Sequence, residues 1–185
     1  MKELVAAFPF VLVVATSFVK FAVVLAILRR ALGASAIPPA AVTFVLALGM
    51  ALFVTAPVAE KVGSDGGRES ARAFLKAHTV AAERQSFLEL QRQLRPPAER
   101  AQVSEDDLMV LGAAFAAGEL KAAFQIGFLL FLPFLIIELV CSTVLVSVGM
   151  TTLSPEAVSL PFKLLLFVAV DGWHLILRGL IAGYT

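Results

Sequence analysis

Two apolar runs in the C-terminal part of the chain, residues 122–148 and 157–177, set the first constraint on how it can fold. Each is longer than the roughly 20 residues a helix needs to cross a bilayer core. A short turn over 149–156 joins them. The full charges inside them are Glu138, Lys163 and Asp171 alone. A charge at membrane depth costs at least ~2.5–3.5 kcal/mol, so it pairs with another charge or faces protein or water. Ser154-Pro155-Glu156 has the make-up of a helix start: a capping hydroxyl, a proline at the first helical position, and an acid on the positive end of the dipole. The pattern predicts a membrane hairpin with charges buried in it.

The N-terminal part repeats the theme. Residues 4–28 form an apolar run whose one full charge is Lys20, followed by Arg29 and Arg30. The run exceeds the 7–15 residues of a signal-peptide core, and the basic pair stands where a cleavage site would lie, so it reads as a retained helix of spanning length. Gly33 and Pro38-Pro39 end it. Residues 40–59 form a run barely long enough to span, ending near Pro57. The stretches 33–42 and 149–158 share a spacing: glycine, an aliphatic residue four on, proline six on, valine nine on. This suggests two similarly shaped turns. The chain thus divides into a hydrophobic hairpin over 1–59, a polar insertion over 60–121 and a second hydrophobic hairpin over 122–185.

Within the insertion, Ser64-Asp65-Gly66-Gly67 reads as a turn. Residues 68–94 place Phe74, Leu75, Leu88 and Leu94 at helical spacing among charges, which predicts one amphipathic helix. Pro96-Pro97 ends it, and Ser104 with Asp107 resembles a capping box opening a further helix. The simplest reading is a soluble helical insertion with a solvated outer face; a partner-binding surface is the alternative. The charge rule leaves its side of the membrane open. Arg29 and Arg30 favour a cytoplasmic first turn, while Lys61, Arg68, Arg72 and Lys76 pull the other way.

Composition excludes several functions. Of the 185 residues, 59% are hydrophobic and mean hydropathy is +0.91, above the ~45–50% apolar share of soluble proteins. A net charge of +1 without a basic stripe gives no nucleic-acid footprint. The single cysteine, Cys141, reads as a small buried hydrophobe. His78 and His174 stand apart, with no cysteine or carboxylate cluster at ligand spacing. His174, next to Trp173, reads as an interfacial anchor. No glycine-rich phosphate loop and no nucleophile motif is present. The sequence reads as a protein that is not an enzyme and holds no cofactor or metal.

Electrostatics is the remaining chemistry. If both short turns lie on one membrane face, a rise of 1.5 Å per residue puts Lys20, Glu138 and Lys163 at a similar level. Asp171 lies further along the helix of Lys163, beyond contact. A structural Lys–Glu pair is one reading; a lysine that finds its acid in a neighbouring subunit is the other. Pro133 and Pro161 fall inside apolar runs, where proline removes a helical hydrogen bond and bends the axis.

The runs ELKAAFQIGF, FLPFLIIELV and LPFKLLLFVAVDGW resemble the C-terminal half of the FliP/SctR family, core export-gate proteins of flagellar and virulence type III secretion systems. The likeness extends more loosely to FVKFAVVLAILRRALG and ARAFLKAHTVAAERQSFLEL, and the start of the chain is similar to the virulence-type members. The resemblance implies an all-α, membrane-type protein of two long, bent helical hairpins, assembled in a complex displaced out of the bilayer plane. It implies five copies in a helical ring with two smaller membrane subunits of the same apparatus. Unfolded substrate proteins would pass through this pore across the bacterial inner membrane, with the insertion on the extracytoplasmic side. In flagellar relatives, consecutive methionines in the 149–153 turn form a gasket that narrows the pore. This chain keeps Met150, with Leu153 nearby, and has Thr151 and Thr152 between them. Met150 and Leu153 are therefore the candidate constriction. Glu119, in the family-like GELK run, is the candidate intersubunit partner of Lys163, and Glu138 is its rival within the chain. Two other readings compete. One is an independent ion or proton channel using Lys20, Glu138, Lys163 and Asp171 as a relay. The other is an intramembrane enzyme, which the missing catalytic motif disfavours.

Overall fold

The computed structural model describes residues 2–33, 38–61 and 66–184, with side chains from Val11 onward apart from Ala15. The described elements are all helical: α1 (Lys2–Ala31), α2 (Ala40–Ala59), α3 (Gly67–Ala77), α4 (Ala81–Gln93), a 3-10 turn (Pro97–Gln102), α5 (Leu108–Ser147), α6 (Pro155–Ala169) and α7 (Gly172–Ala182). The chain forms two compact units, Met1–Phe21 with Leu48–Ala122 and Ala22–Ala47 with Ala123–Thr185. The three segments read from the sequence follow composition. The units follow contact, so α1, α2 and α5 contribute to both.

In the first unit, α1 buries Val13, Thr16, Ser17, Lys20 and Phe21, one stripe at helical spacing. Leu12 fills the space beside Gly112 of α5, where an added Cβ would stand 2.6 Å from Leu12 Cδ2. Glycine there lets the two helices approach. From α2, Met50, Ala51, Thr55 and Val58 are buried, and the Thr55 hydroxyl is satisfied inside its own helix, donating to the Ala51 carbonyl at 2.7 Å.

The amphipathic helix expected over 68–94 is two helices, α3 and α4, broken at His78–Val80. Thr79 is buried at the break and its hydroxyl donates to the Leu75 carbonyl at 2.6 Å. Arg84 then folds back onto the end of α3, donating to the carbonyls of Thr79 at 2.6 Å and Lys76 at 3.3 Å. These are last-turn carbonyls that a continuous helix would have used itself. The stripe is correspondingly interrupted: Leu75 is buried, Phe74 and Leu88 half-buried, and Leu94 83% exposed. Of the turn expected over 64–67, Ser64 and Asp65 lie outside the described residues.

The start of α5 also differs from the reading. Asp107, not Ser104, caps the helix, its carboxylate accepting the Met109 N–H at 3.0 Å. Ser104 Oγ instead accepts the Asp106 N–H at 3.2 Å. From Leu108 nothing stops the helix, so the last part of the insertion and the third apolar run are one helix of 40 residues, about 60 Å at 1.5 Å per residue.

In the second unit, α1 contributes Val24, Leu25, Leu28 and Ala31, α5 Phe134, α6 Phe167, and α7 Ile176 and Leu180. Ile27 occupies the space a side chain at Gly127 of α5 would need. The end of α5 is a Schellman cap. Gly149 takes φ +75°, its N–H reaches the Val146 carbonyl at 3.1 Å, and the Met150 N–H reaches Leu145 at 2.9 Å. Gly33 ends α1 with φ +74° and an N–H to Arg30 at 3.0 Å. The two glycines of the shared spacing thus do the same job, and the prolines six residues on lie where α2 and α6 begin. Residues 34–37 of the first turn are outside the described set. Ser154 holds the N-cap position of α6, but its hydroxyl makes no capping bond.

The run 157–177, read as one segment, is two helices. The break comes at Val170–Asp171, where α6 and α7 meet at 61°. Helical structure continues through Pro133 in α5 and Pro161 in α6. Among the described residues three helices are long and apolar enough to cross a membrane, or four if the bent pair is one span. Their outer faces expose Phe53, Phe128, Leu165 and Val168 among many large apolar side chains. Apolar surface on that scale faces lipid or other protein; this is a membrane protein.

Candidate functional site

The Gly149 cap folds α6 back along α5, and the level count from the turn then brings Glu138 and Lys163 together. Lys163 Nζ donates to Glu138 Oε2 at 2.6 Å. The two ends of the pair differ sharply, with the lysine side chain 2% exposed and the glutamate 40%. Lys163 also lies against the C-terminal end of α1. A Cβ at Gly33 would stand 3.5 Å from Nζ and 3.4 Å from Glu156 Cγ. The negative end of a helix dipole favours a cation, so the ammonium has a carboxylate on one side and a helix C-terminus on the other. Lys163 is the electrostatic pin of this unit.

The first unit has its own pair. Lys20 Nζ lies 3.4 Å from Glu119 Oε1, with side chains 6% and 8% exposed. Together with Leu12 against Gly112, this shows α1 and α5 running parallel here. Ser17, one turn before Lys20, is buried and its hydroxyl has no protein hydrogen-bond partner among the described residues.

These pairs are the ones made within a single chain. Lys163 bonds to Glu138, the rival partner, and Glu119 bonds to Lys20. The hairpin register makes 138 and 163 level, while the α1–α5 register sets 20 beside 119. Each unit thus has one buried lysine with its own acid. Asp171 joins neither. It is exposed, stands just before α7 and adopts the left-handed conformation, φ 50° and ψ 52°.

Met150 and Leu153 stand at the tip of the α5–α6 hairpin, 51% and 47% exposed, with Thr151 and Thr152 exposed between them. Cys141 is half-buried rather than buried. It lines an apolar cleft of about 470 Å³ with Ile137, Val144, Val158 and Phe162, because two helices alone cannot cover their own faces. His78 packs on Phe74, ring centroids 4.4 Å apart, with Nδ1 2.8 Å from the Phe74 carbonyl. His174 is exposed, and Trp173 meets Phe167 edge-on at 5.3 Å. Among the described residues no group of three or more His, Cys, Asp or Glu side chains could hold a metal ion.

Three contributors escaped the sequence reading: Gly33 as the seat of Lys163, Glu156 beside it, and Gly172 at the α6–α7 break. The Asp-Gly dipeptide at 171–172 is a turn signal, masked by the apolar run on either side of it. Nothing local marked Gly33 or Glu156 as neighbours of Lys163.

The fold and these pairs define a class: an all-helical membrane protein whose long apolar helices are tied by buried lysine–carboxylate pairs and whose hairpin tip is left free. A model described as the FliP family matches residues 2–71 and 63–180. Hypersensitivity response secretion protein HrcR of Ralstonia nicotianae is 40% identical, over 97% of this chain and 93% of that one. Yop proteins translocation protein R of Yersinia pestis is 43% identical, over 95% and 90%. Flagellar biosynthetic protein FliP of Bacillus subtilis is 34% identical, over 95% and 86%. The chain belongs to the FliP family.

Proposed function

We propose that this chain is a subunit of a type III secretion export gate, part of the pore through which unfolded substrate proteins cross the bacterial inner membrane. The observation that carries this reading is likeness along nearly its whole length to proteins named for secretion and translocation and for flagellar biosynthesis. Its partners are other subunits of the secretion apparatus. In the finer reading these are four further copies of itself and two smaller membrane subunits, with the polar insertion on the extracytoplasmic side. The exposed apolar faces of α2, α5 and α6 supply the surface such an assembly needs. The Lys163 pin holds α6 to α5 while the tip carrying Met150 and Leu153 stays clear, ready to meet the tips of neighbouring copies and narrow the pore. Methionine's unbranched thioether conforms to a changing surface, which suits a seal. The chain's chemistry is therefore packing and sealing; no residue is assigned a catalytic part.

Replacing Met150 and Leu153 together by glycine is expected to make cells expressing the apparatus leak small solutes, with the assembled complex recovered in normal amount. Leakage at the wild-type level, with the complex intact, places the seal elsewhere and overturns the role given to the tip.

A further inference from the structure

We propose that Asp171 and Gly172 form a hinge at which α6 and α7 alternate between the bent form and one straight helix. Local sequence and structure disagree at this point. The residues on both sides are apolar, no proline lies between Pro161 and the C-terminus, and α6 and α7 together qualify as a single span. Yet the chain breaks there by 61°. At the break Asp171 lies in the left-handed region, which non-glycine residues enter uncommonly and Asp more readily than alanine. Such disagreement marks strained or functional positions.

The Asp171 side chain does not hold the bend, since it makes no capping bond to α7. Packing does. Gly172 sits so close to the Phe167 ring that an added Cβ would stand 2.3 Å from it. Phe167 in turn meets Trp173 at 5.3 Å and Phe134 of α5 at 6.5 Å. Backbone bonds survive on both sides of the joint: Val170 N–H to Leu166 at 3.1 Å, Asp171 N–H to Val168 at 3.1 Å, and Leu175 N–H to Asp171 at 3.1 Å. Rotation at Asp171 therefore disturbs one turn, not either helix. Beside the joint lies an apolar cleft of about 220 Å³ lined by Pro133, Leu166, Val170 and Leu175, which gives the moving segment room. The Lys163–Glu138 bond keeps α6 on α5, so the hinge lets α7 change its angle while the hairpin stays fixed. This inference does not depend on the number or identity of partner subunits.

The test is a distance across the joint. Spin labels at Ala157→Cys and Ala182→Cys, in a Cys141→Ala background, are measured in the full chain reconstituted in lipid and diluted with unlabelled chain. The straight form places them roughly 5 Å further apart than the bent form. Asp171→Ala, which disfavours the left-handed conformation, is expected to raise the long-distance population at least roughly 5-fold over that of Asp171→Gly, which favours it. Gly172→Ala, whose methyl group conflicts with Phe167 in the bent form, should lengthen the distance likewise and serves if Asp171→Ala fails to accumulate. An unchanged distance in both alanine variants overturns the hinge and makes the bend a fixed elbow.

Discussion

Replacing Glu138 by leucine is expected to destabilise the C-terminal hairpin by about 3–5 kcal/mol, the cost of leaving a buried charge without its partner. Lys163→Met should cost less, about 1–2 kcal/mol, because the two ends of the pair are unequally buried. With the glutamate removed, a lysine only 2% exposed loses its bonded acid; with the lysine removed, a glutamate 40% exposed still reaches solvent. The double variant, with neither charge, should lie closer to wild type than Glu138→Leu does. Thermal unfolding in detergent and the amount of chain retained in membranes report these differences. Charge reversal gives the sharper version. Lys163→Glu should be rescued by Glu138→Lys and not by Glu119→Lys, because Glu119 already has Lys20 at 3.4 Å. Rescue by Glu119→Lys would mean that Lys163 finds its acid in a neighbouring copy, and the assignment made within one chain would fall.

The second large effect lies in the first unit. Lys20 and Glu119 are nearly equally buried, so Lys20→Met and Glu119→Leu should each cost about 3–5 kcal/mol, without the asymmetry of the other pair. Their double variant should cost less than the sum, giving a coupling of at least about 1 kcal/mol. Combining either with Lys163→Met should be additive within about 0.5 kcal/mol, since the two pairs share no partner. Strong coupling between Lys20 and Lys163 variants would show a single charge cluster in place of two pairs.

Much of this was legible in the residues. Apolar run length gave the helical membrane class, and counting from the Gly149 turn put Glu138 level with Lys163. Gly33 and Gly149 were marked as helix ends by type and spacing, and both take positive φ. The rest depended on information no local window holds. That Glu119 faces Lys20 follows from the register of α1 on α5, set by Leu12 against Gly112, far apart in sequence. The α3–α4 break depends on Arg84 turning back onto Thr79 and Lys76, a capping that spacing rules do not encode. The α6–α7 break was hidden because apolar periodicity is the same on either side of it. Proline drew attention to Pro133 and Pro161, while the break sits on Asp171, where the cause is a left-handed residue and a glycine packed on an aromatic ring.

The mass of the complex purified in mild detergent, after co-expression with the other membrane subunits of the apparatus, tests the central claim most directly. The chain contributes 19.7 kDa per copy. The account predicts an assembly that contains several such increments, five in the finer reading, because the exposed apolar faces of α2, α5 and α6 supply the surface such an assembly needs. A stable particle holding a single copy, with the partner subunits present and unbound, would contradict it.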